Sequence, residues 1–171
     1  MADDYKSGNS FMKKIKLFCM DVDGTLTDGK IYVGSDGEVF KAFNTKDGLG
    51  IHDLLIKNDI IPVIITGRKS KIVENRCAEL GIKEIYQGIS NKIEVLQELC
   101  KKYNVSFENF AYVGDDLNDL PCMEKIKSAN GFVACPNDAA DDVKKIADYI
   151  SVKSGGNGAV RDVVDYIFEG K

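Results

Sequence analysis

Short apolar runs alternate with amphipathic patterns along most of this chain, and that alternation restricts the fold more than any single residue does. Strands are expected at 15–20, 60–65, 84–86, 110–113, 131–134 and 149–151, with helical patterns near 48–57, 69–80, 92–103, 117–125, 139–147 and 158–168. In the segment 92–103, Ile93, Leu96, Gln97 and Cys100 follow an i, i+3, i+4, i+7 stripe. Asn91 and Glu94 have the spacing of a capping box at its start, and Gly81 is placed to end the preceding helix. Repeated strand–helix–strand units build a parallel sheet with helices on both faces. The expected fold is therefore α/β, a Rossmann-like doubly wound parallel sheet. One domain is expected at 11–171, after a polar tail at 1–10 that reads as disordered.

One segment departs from the alternation. Lys30-Ile31-Tyr32-Val33 and the run 38–43 flank Gly34-Ser35-Asp36-Gly37, the signature of a β-hairpin inserted directly after the first strand unit.

Sheets of this kind bind ligands beyond the carboxyl ends of their strands, and several unusual residues fall there. The apolar run ending at Met20 breaks into Asp21-Val22-Asp23-Gly24-Thr25. Aspartate is a poor strand residue, and two carboxylates at a strand end concentrate negative charge. A divalent cation relieves that concentration, and Mg²⁺ takes one or two carboxylates while leaving room for phosphate. Taken alone, the stretch fits a solvated Asp-Gly turn as well. Gly114-Asp115-Asp116-Leu117-Asn118-Asp119 repeats the pattern after another apolar strand, with Asp119 one helical turn beyond Asp115 or Asp116. Helix capping explains one of these aspartates but not all of them together. Ile65-Thr66-Gly67-Arg68 offers a hydroxyl and free N–H groups at a strand-to-helix turn, a seat for phosphate. Lys92 lies in the first turn of a helix, where the macrodipole disfavours a cation by about a few tenths of a kcal/mol. A phosphoryl oxygen would account for that placement; a lysine extending into solvent is the plainer explanation.

Composition narrows the function classes. The net charge is −4, and no basic stripe with interleaved aromatics suggests nucleic acid as a partner. The five cysteines are odd in number and never paired as C-x-x-C, which fits small buried hydrophobes in a reducing compartment. No apolar run approaches the ~20 residues of a membrane span, and no secretory signal pattern opens the chain. A cytoplasmic location is expected.

The motifs D-x-D-G-T, T-G-R, N-K and G-D-D-x-x-D occur in that order, and the chain resembles the haloacid dehalogenase superfamily of phosphohydrolases over nearly all of 15–169. The resemblance implies Asp21 as a nucleophile forming an aspartyl-phosphate and Asp23 as general acid, then base. It implies Thr66 holding a phosphoryl oxygen, Lys92 neutralising nucleophile and phosphate, and Mg²⁺ bound by Asp21, Asp115 and the Asp23 carbonyl. Asp116 and Asp119 would support that shell.

No room exists for the cap domain of many superfamily members, and the fine pattern is similar to the capless 3-deoxy-D-manno-octulosonate 8-phosphate phosphatases, tetramers of lipopolysaccharide sugar synthesis. The shared stretches are Lys41-Ala42-Phe43-Asn44 leading to Asp47-Gly48, Thr66-Gly67-Arg68-Lys69, Glu74 to Cys77, Tyr86-Gln87-Gly88, Ser90-Asn91-Lys92, Gly155-Gly156 and Gly158-Ala159-Val160-Arg161. The resemblance implies substrate contacts from Asn44, Thr45, Lys46, Asp47, Gly48, His52, Arg68 and Arg76. It also implies a homotetramer with the hairpin at the subunit interface. Lys46, His52 and Asn157 stand where that family usually has arginine, and arginine and lysine grip a carboxylate differently. Phosphatases of 3-deoxynonulosonate or N-acetylneuraminate 9-phosphate are the nine-carbon alternative. Two other readings remain: an assembly domain like those fused to sialate cytidylyltransferases, and a receiver domain, which lacks the D-x-D-G-T opening.

Overall fold

The structure is a computed structural model that describes residues 14–169; the tail expected at 1–10 lies outside them. Its strands are β1 (Leu17–Met20), β2 (Tyr32–Gly34), β3 (Gly37–Phe40), β4 (Ile61–Thr66), β5 (Glu84–Gln87), β6 (Phe110–Val113), β7 (Phe132–Cys135) and β8 (Tyr149–Ile150). The helices are α1 (Thr45–Leu49), α2 (Lys71–Leu80), α3 (Lys92–Tyr103), α4 (Leu120–Ser128), α5 (Asp141–Ile146) and α6 (Ala159–Glu169). Six strands form one sheet in the order β5-β4-β1-β6-β7-β8, and each pairing in it is parallel. The expected α/β architecture is observed.

Side-chain alternation along the strands divides the core into two layers. Phe18, Met20 and Ile64 pack on one face with Ile51, Val73, Val160 and Val163, so the helical run after the hairpin, α2 and α6 cover that side. Leu17, Cys19, Val63 and Ile65 pack on the other with Leu96, Leu99, Met123 and Val143 from α3, α4 and α5. Cys19, Cys77, Cys122 and Cys135 are buried and unpaired, and Cys100 is half-buried, as the small-hydrophobe reading expects.

Several local expectations shift. The apolar stripe of α3 is offset by one residue: Lys92, Val95, Leu96 and Leu99 are buried while Gln97 is exposed. A charged residue occupies the first core-facing position, which hid the true phase. The capping box there does not form; Asn91 Nδ2 instead donates to Glu94 Oε1 at 2.8 Å. The helix expected at 48–57 is a composite of α1, a π-helical turn at Gly50–Leu55 and a 3-10 turn at Ile56–Asn58. Pro62 is accommodated inside β4 because β5 pairs only from Val63 onward. The Ile61 N–H points to β1, donating to Lys16 O, so the N–H that Pro62 lacks would face the side where β5 has not yet begun.

The hairpin forms as a separate two-stranded sheet, β2 against β3, with the Tyr32 and Phe40 rings stacked at 4.2 Å. It is shorter than the flanks 30–33 and 38–43 suggested, because the chain leaves the ladder after Phe40 and Lys41 turns toward the sheet edge. Between β1 and β4 the described residues contain this hairpin and one helical run, and between β4 and α3 they contain α2 and β5. Neither interval holds a cap domain.

From β1 the chain moves out through β4 to β5, then crosses back to β6 and continues to β8. The strand order reverses between β1 and β6, which opens a crevice at their carboxyl ends.

Candidate active site

Asp21 follows β1 directly and lies buried at that crevice, its Oδ1 accepting the N–H of Val22 at 2.7 Å. Its Oδ2 is 3.3 Å from Lys92 Nζ, which reaches in from the first turn of α3 with its side chain only 3% exposed. Lys92 also donates to Asp119 Oδ1 at 2.7 Å. Asp119 is the hub beneath the site. Its Oδ1 takes a second bond from Tyr112 OH at 2.8 Å, and its Oδ2 accepts the N–H groups of Asp115 at 3.0 Å and Asp116 at 3.3 Å.

Asp115 is fixed from the other side by Thr25 Oγ1, which donates to its Oδ1 at 2.9 Å. The loop bearing Asp23 passes so close that a Cβ on Gly24 would sit 2.0 Å from Asp115 Oδ2, and Gly24 has φ +93. Only glycine satisfies both conditions. Thr66, Gly67 and Arg68 at the end of β4 complete an open cleft of ≈ 410 Å³ with Asp21, Asp23, Asp115, Asp116, Leu117 and Asn118.

Electrostatics in the cleft favour a bound cation. Burial, then the neighbouring Asp119 carboxylate, push the Asp21 carboxyl up to about 6 against the pull of Lys92. Burial, then Asp119, raise Asp115 to about 7, with Asp21 and Asp116 adding to the effect and Thr25 opposing it. Carboxylate oxygens of Asp21, Asp115 and Asp119 all lie within 4.8 Å of one another. The Asp119 oxygens already take four donors, so of these three carboxylates Asp21 and Asp115, with fewer donors each, keep more capacity to hold a cation. An all-oxygen donor set, more acidic groups than Lys92 can neutralise and an open face for water and phosphate fit Mg²⁺.

Known proteins resemble this chain along most of its length. A profile of haloacid dehalogenase-like hydrolases matches residues 79–163. The 3-deoxy-D-manno-octulosonate 8-phosphate phosphatase of Escherichia coli K12 is 49% identical over 155 residues, which is 91% of this chain and 80% of that protein. This chain belongs to that phosphatase family, within the haloacid dehalogenase-like hydrolases. The phosphatase fold is matched by the Moraxella catarrhalis 3-deoxy-D-manno-octulosonate 8-phosphate phosphatase, crystallised with magnesium, phosphate and a KDO molecule. That match has a TM-score of 0.86 and 43% identity, covering 94% of this chain and 89% of the other. The cobalt-bound phosphatase from Haemophilus influenzae matches with a TM-score of 0.86 and 38% identity, over 94% and 91% of the two chains.

Within this chain, the residues expected to touch substrate do not converge. Arg68 lines the carboxylate cleft. Asn44, Asp47, Gly48 and Arg76 line a small apolar cavity under the helical run. Asp47 is buried there and accepts the Arg161 N–H at 2.8 Å, so it caps α6. Lys46 lines a third hollow with Lys153, Asn157 and Arg161, while Thr45 and His52 are exposed and His52 Nδ1 lies 2.8 Å from Asp53 Oδ1.

Sequence reasoning missed Thr25, Tyr112 and Lys41. Thr25 stands inside the D-x-D-G-T motif, but its hydrogen bond to Asp115 depends on the distance between two segments 90 residues apart, which the motif does not show. Tyr112 was masked as one more apolar strand residue. Lys41 pairs with Asp23 Oδ1 and lies 2.9 Å from Glu38 Oε1. Burial lowers its pKa, but the hydrogen bonds it donates to both carboxylates outweigh that, and the ammonium is held above its ordinary range.

Proposed function

We propose that this phosphatase removes the phosphate of a phosphorylated 3-deoxy-2-ulosonic acid, with 3-deoxy-D-manno-octulosonate 8-phosphate as its first substrate. The observation that supports the reading most is the meeting of Asp21, Thr66 and Asp115 from three separate segments around one cleft, with Lys92 Nζ from a fourth lying 3.3 Å from Asp21 Oδ2. In this reading Asp21 attacks phosphorus and the bond to the sugar oxygen breaks. Asp23 gives its proton to the departing oxygen and later takes one from the water that releases phosphate from Asp21. Such acid–base help is worth about 10²–10⁴-fold. Thr66 and Lys92 hold phosphoryl oxygens, and Asp119 keeps Lys92 and the Asp115 loop in place. Asp21, Asp115 and the Asp23 carbonyl would hold Mg²⁺, which when bound would supply the charge screening that lets a carboxylate approach a dianionic phosphate.

A domain spanning 11–171 carries this chemistry in the cytoplasm, assembled as a homotetramer. Ile31, Val33, Val39 and Phe40 of the hairpin are 44–64% exposed, an apolar surface that a second copy would cover. One observation favours a nine-carbon acid instead: Lys46, His52 and Asn157 replace the arginines usual in the eight-carbon family. The test is kcat/KM for 3-deoxy-D-manno-octulosonate 8-phosphate, the nonulosonate 9-phosphates and glucose 6-phosphate. The eight-carbon acid should lead. Preference for a nine-carbon acid would reverse the ranking, and preference for glucose 6-phosphate would end the sugar-acid reading.

A further inference from the structure

Lys41 lies outside the four phosphatase motifs, at the head of the shared stretch Lys41-Ala42-Phe43-Asn44, yet among the described residues its ammonium is one of the most confined. It follows β3 immediately, and its side chain is 3% exposed although the hairpin carrying it is largely open to solvent. Its ammonium bridges Asp23 Oδ1 and Glu38 Oε1. Glu38 is itself pinned, because Ser70 Oγ donates to its other oxygen while also accepting the Val73 N–H that starts α2. The second oxygen of Asp23 lies 3.9 Å from Arg68 Nε. A chain of contacts thus runs from the start of α2 through the hairpin to one oxygen of Asp23.

A surface ion pair does not need this arrangement. Exposed pairs gain little and leave both side chains mobile, whereas a buried charge held by two carboxylates fixes the direction of each. Asp23 sits on a loop, and its two carboxylate oxygens face Lys41 on one side and Arg68 on the other. With Lys41 gone, Arg68 would be the remaining cation on Asp23, and it would draw the carboxylate toward the β4 loop.

We propose that Lys41 is a positioning residue for Asp23, setting the carboxyl group where it can pass its proton to the leaving oxygen. The proposal rests on the acid–base reading of Asp23 given above. In the first step the phosphorus–oxygen bond to the sugar breaks, Asp21 takes the phosphoryl group, and the Asp23 proton goes to the alkoxide. A p-nitrophenolate leaves without a proton, so the same step needs Asp23 far less for an aryl ester.

That difference gives the test. Under saturating Mg²⁺, kcat/KM is measured for the sugar-acid phosphate and for p-nitrophenyl phosphate in Lys41→Met, Lys41→Gln and Lys41→Arg, with sedimentation to confirm wild-type assembly. Removal of the charge should cost at least about 30-fold on the alkyl ester and under about 3-fold on the aryl ester, within the span of acid catalysis. Lys41→Arg should recover most of the loss. Equal losses on both esters, or a loss confined to KM for the sugar acid, would overturn the proposal. Asp23→Asn serves as the control: if it keeps wild-type activity on the alkyl ester, the acid–base reading itself falls. If it is inactive while the Lys41 variants show no leaving-group dependence, only the positioning role falls.

Discussion

At Lys92 an ammonium that would ordinarily trail into solvent lies between Asp119 at 2.7 Å and Asp21 at 3.3 Å. Removing it strands two buried carboxylates. Lys92→Met should cost about 3 kcal/mol in denaturant unfolding without Mg²⁺, the scale of a broken buried ion pair. Mg²⁺ should return part of that stability, since a cation bound by Asp21 relieves the same repulsion; an unchanged unfolding midpoint would contradict the account. Asp21→Asn should abolish Mg²⁺-dependent phosphate release with the fold intact by circular dichroism. Asp23→Asn should lose at least about 10²-fold, because an amide cannot act as base. These residues were legible beforehand because each breaks a local rule: aspartates at strand ends, a lysine at a helix start. Lys41 and Tyr112 break no local rule. Their roles come from long-range packing, of the hairpin onto Asp23 and of β6 beneath Asp119.

Among the elements, α6 depends on a distant residue. Asp47, at the start of α1, accepts the Arg161 N–H near the first turn of α6 with its carboxyl pushed up to about 6 by burial. Its other oxygen has no hydrogen-bond partner among the described residues. A carboxyl whose folded pKa lies above its unfolded value contributes stability fully present below about pH 4, and that contribution is lost as pH rises through 6. Asp47→Asn mimics the protonated form. It should be more stable than wild type above pH 7, by on the order of 2 kcal/mol, with the difference closing toward pH 4. Equal stability of the two proteins at both pH values, by chemical unfolding, would contradict this. The same element level shows where pattern reading slips. The six strands of the main sheet were found because β-branched and aromatic runs bounded by turns are short and unambiguous. The phase of α3 was missed because its innermost position holds Lys92, which a hydrophobicity pattern counts as solvent-facing.

The whole molecule presents a cleft open to water and a hairpin that exposes Val33, Val39 and Phe40, at 64%, 59% and 49%. A two-stranded hairpin is marginal alone in water, so sedimentation should find a tetramer. Val39→Asp with Phe40→Ser should yield smaller species with reduced kcat on the sugar-acid phosphate. A wild-type monomer with full activity would exclude the assembly. The hairpin itself was visible in Gly34-Ser35-Asp36-Gly37, but its inward contact to Asp23 was not, since a turn signal fixes local pairing and says nothing of where the paired strands fold. The central claim is that phosphate passes through Asp21, and intact-mass measurement after rapid acid quench tests it most directly. With Mg²⁺ and 3-deoxy-D-manno-octulosonate 8-phosphate, wild type should carry the mass of one added phosphoryl group, mapped to the peptide containing Asp21 and absent in Asp21→Asn. Phosphate release at the wild-type rate by Asp21→Asn, or the added group mapped to another residue, would contradict the account.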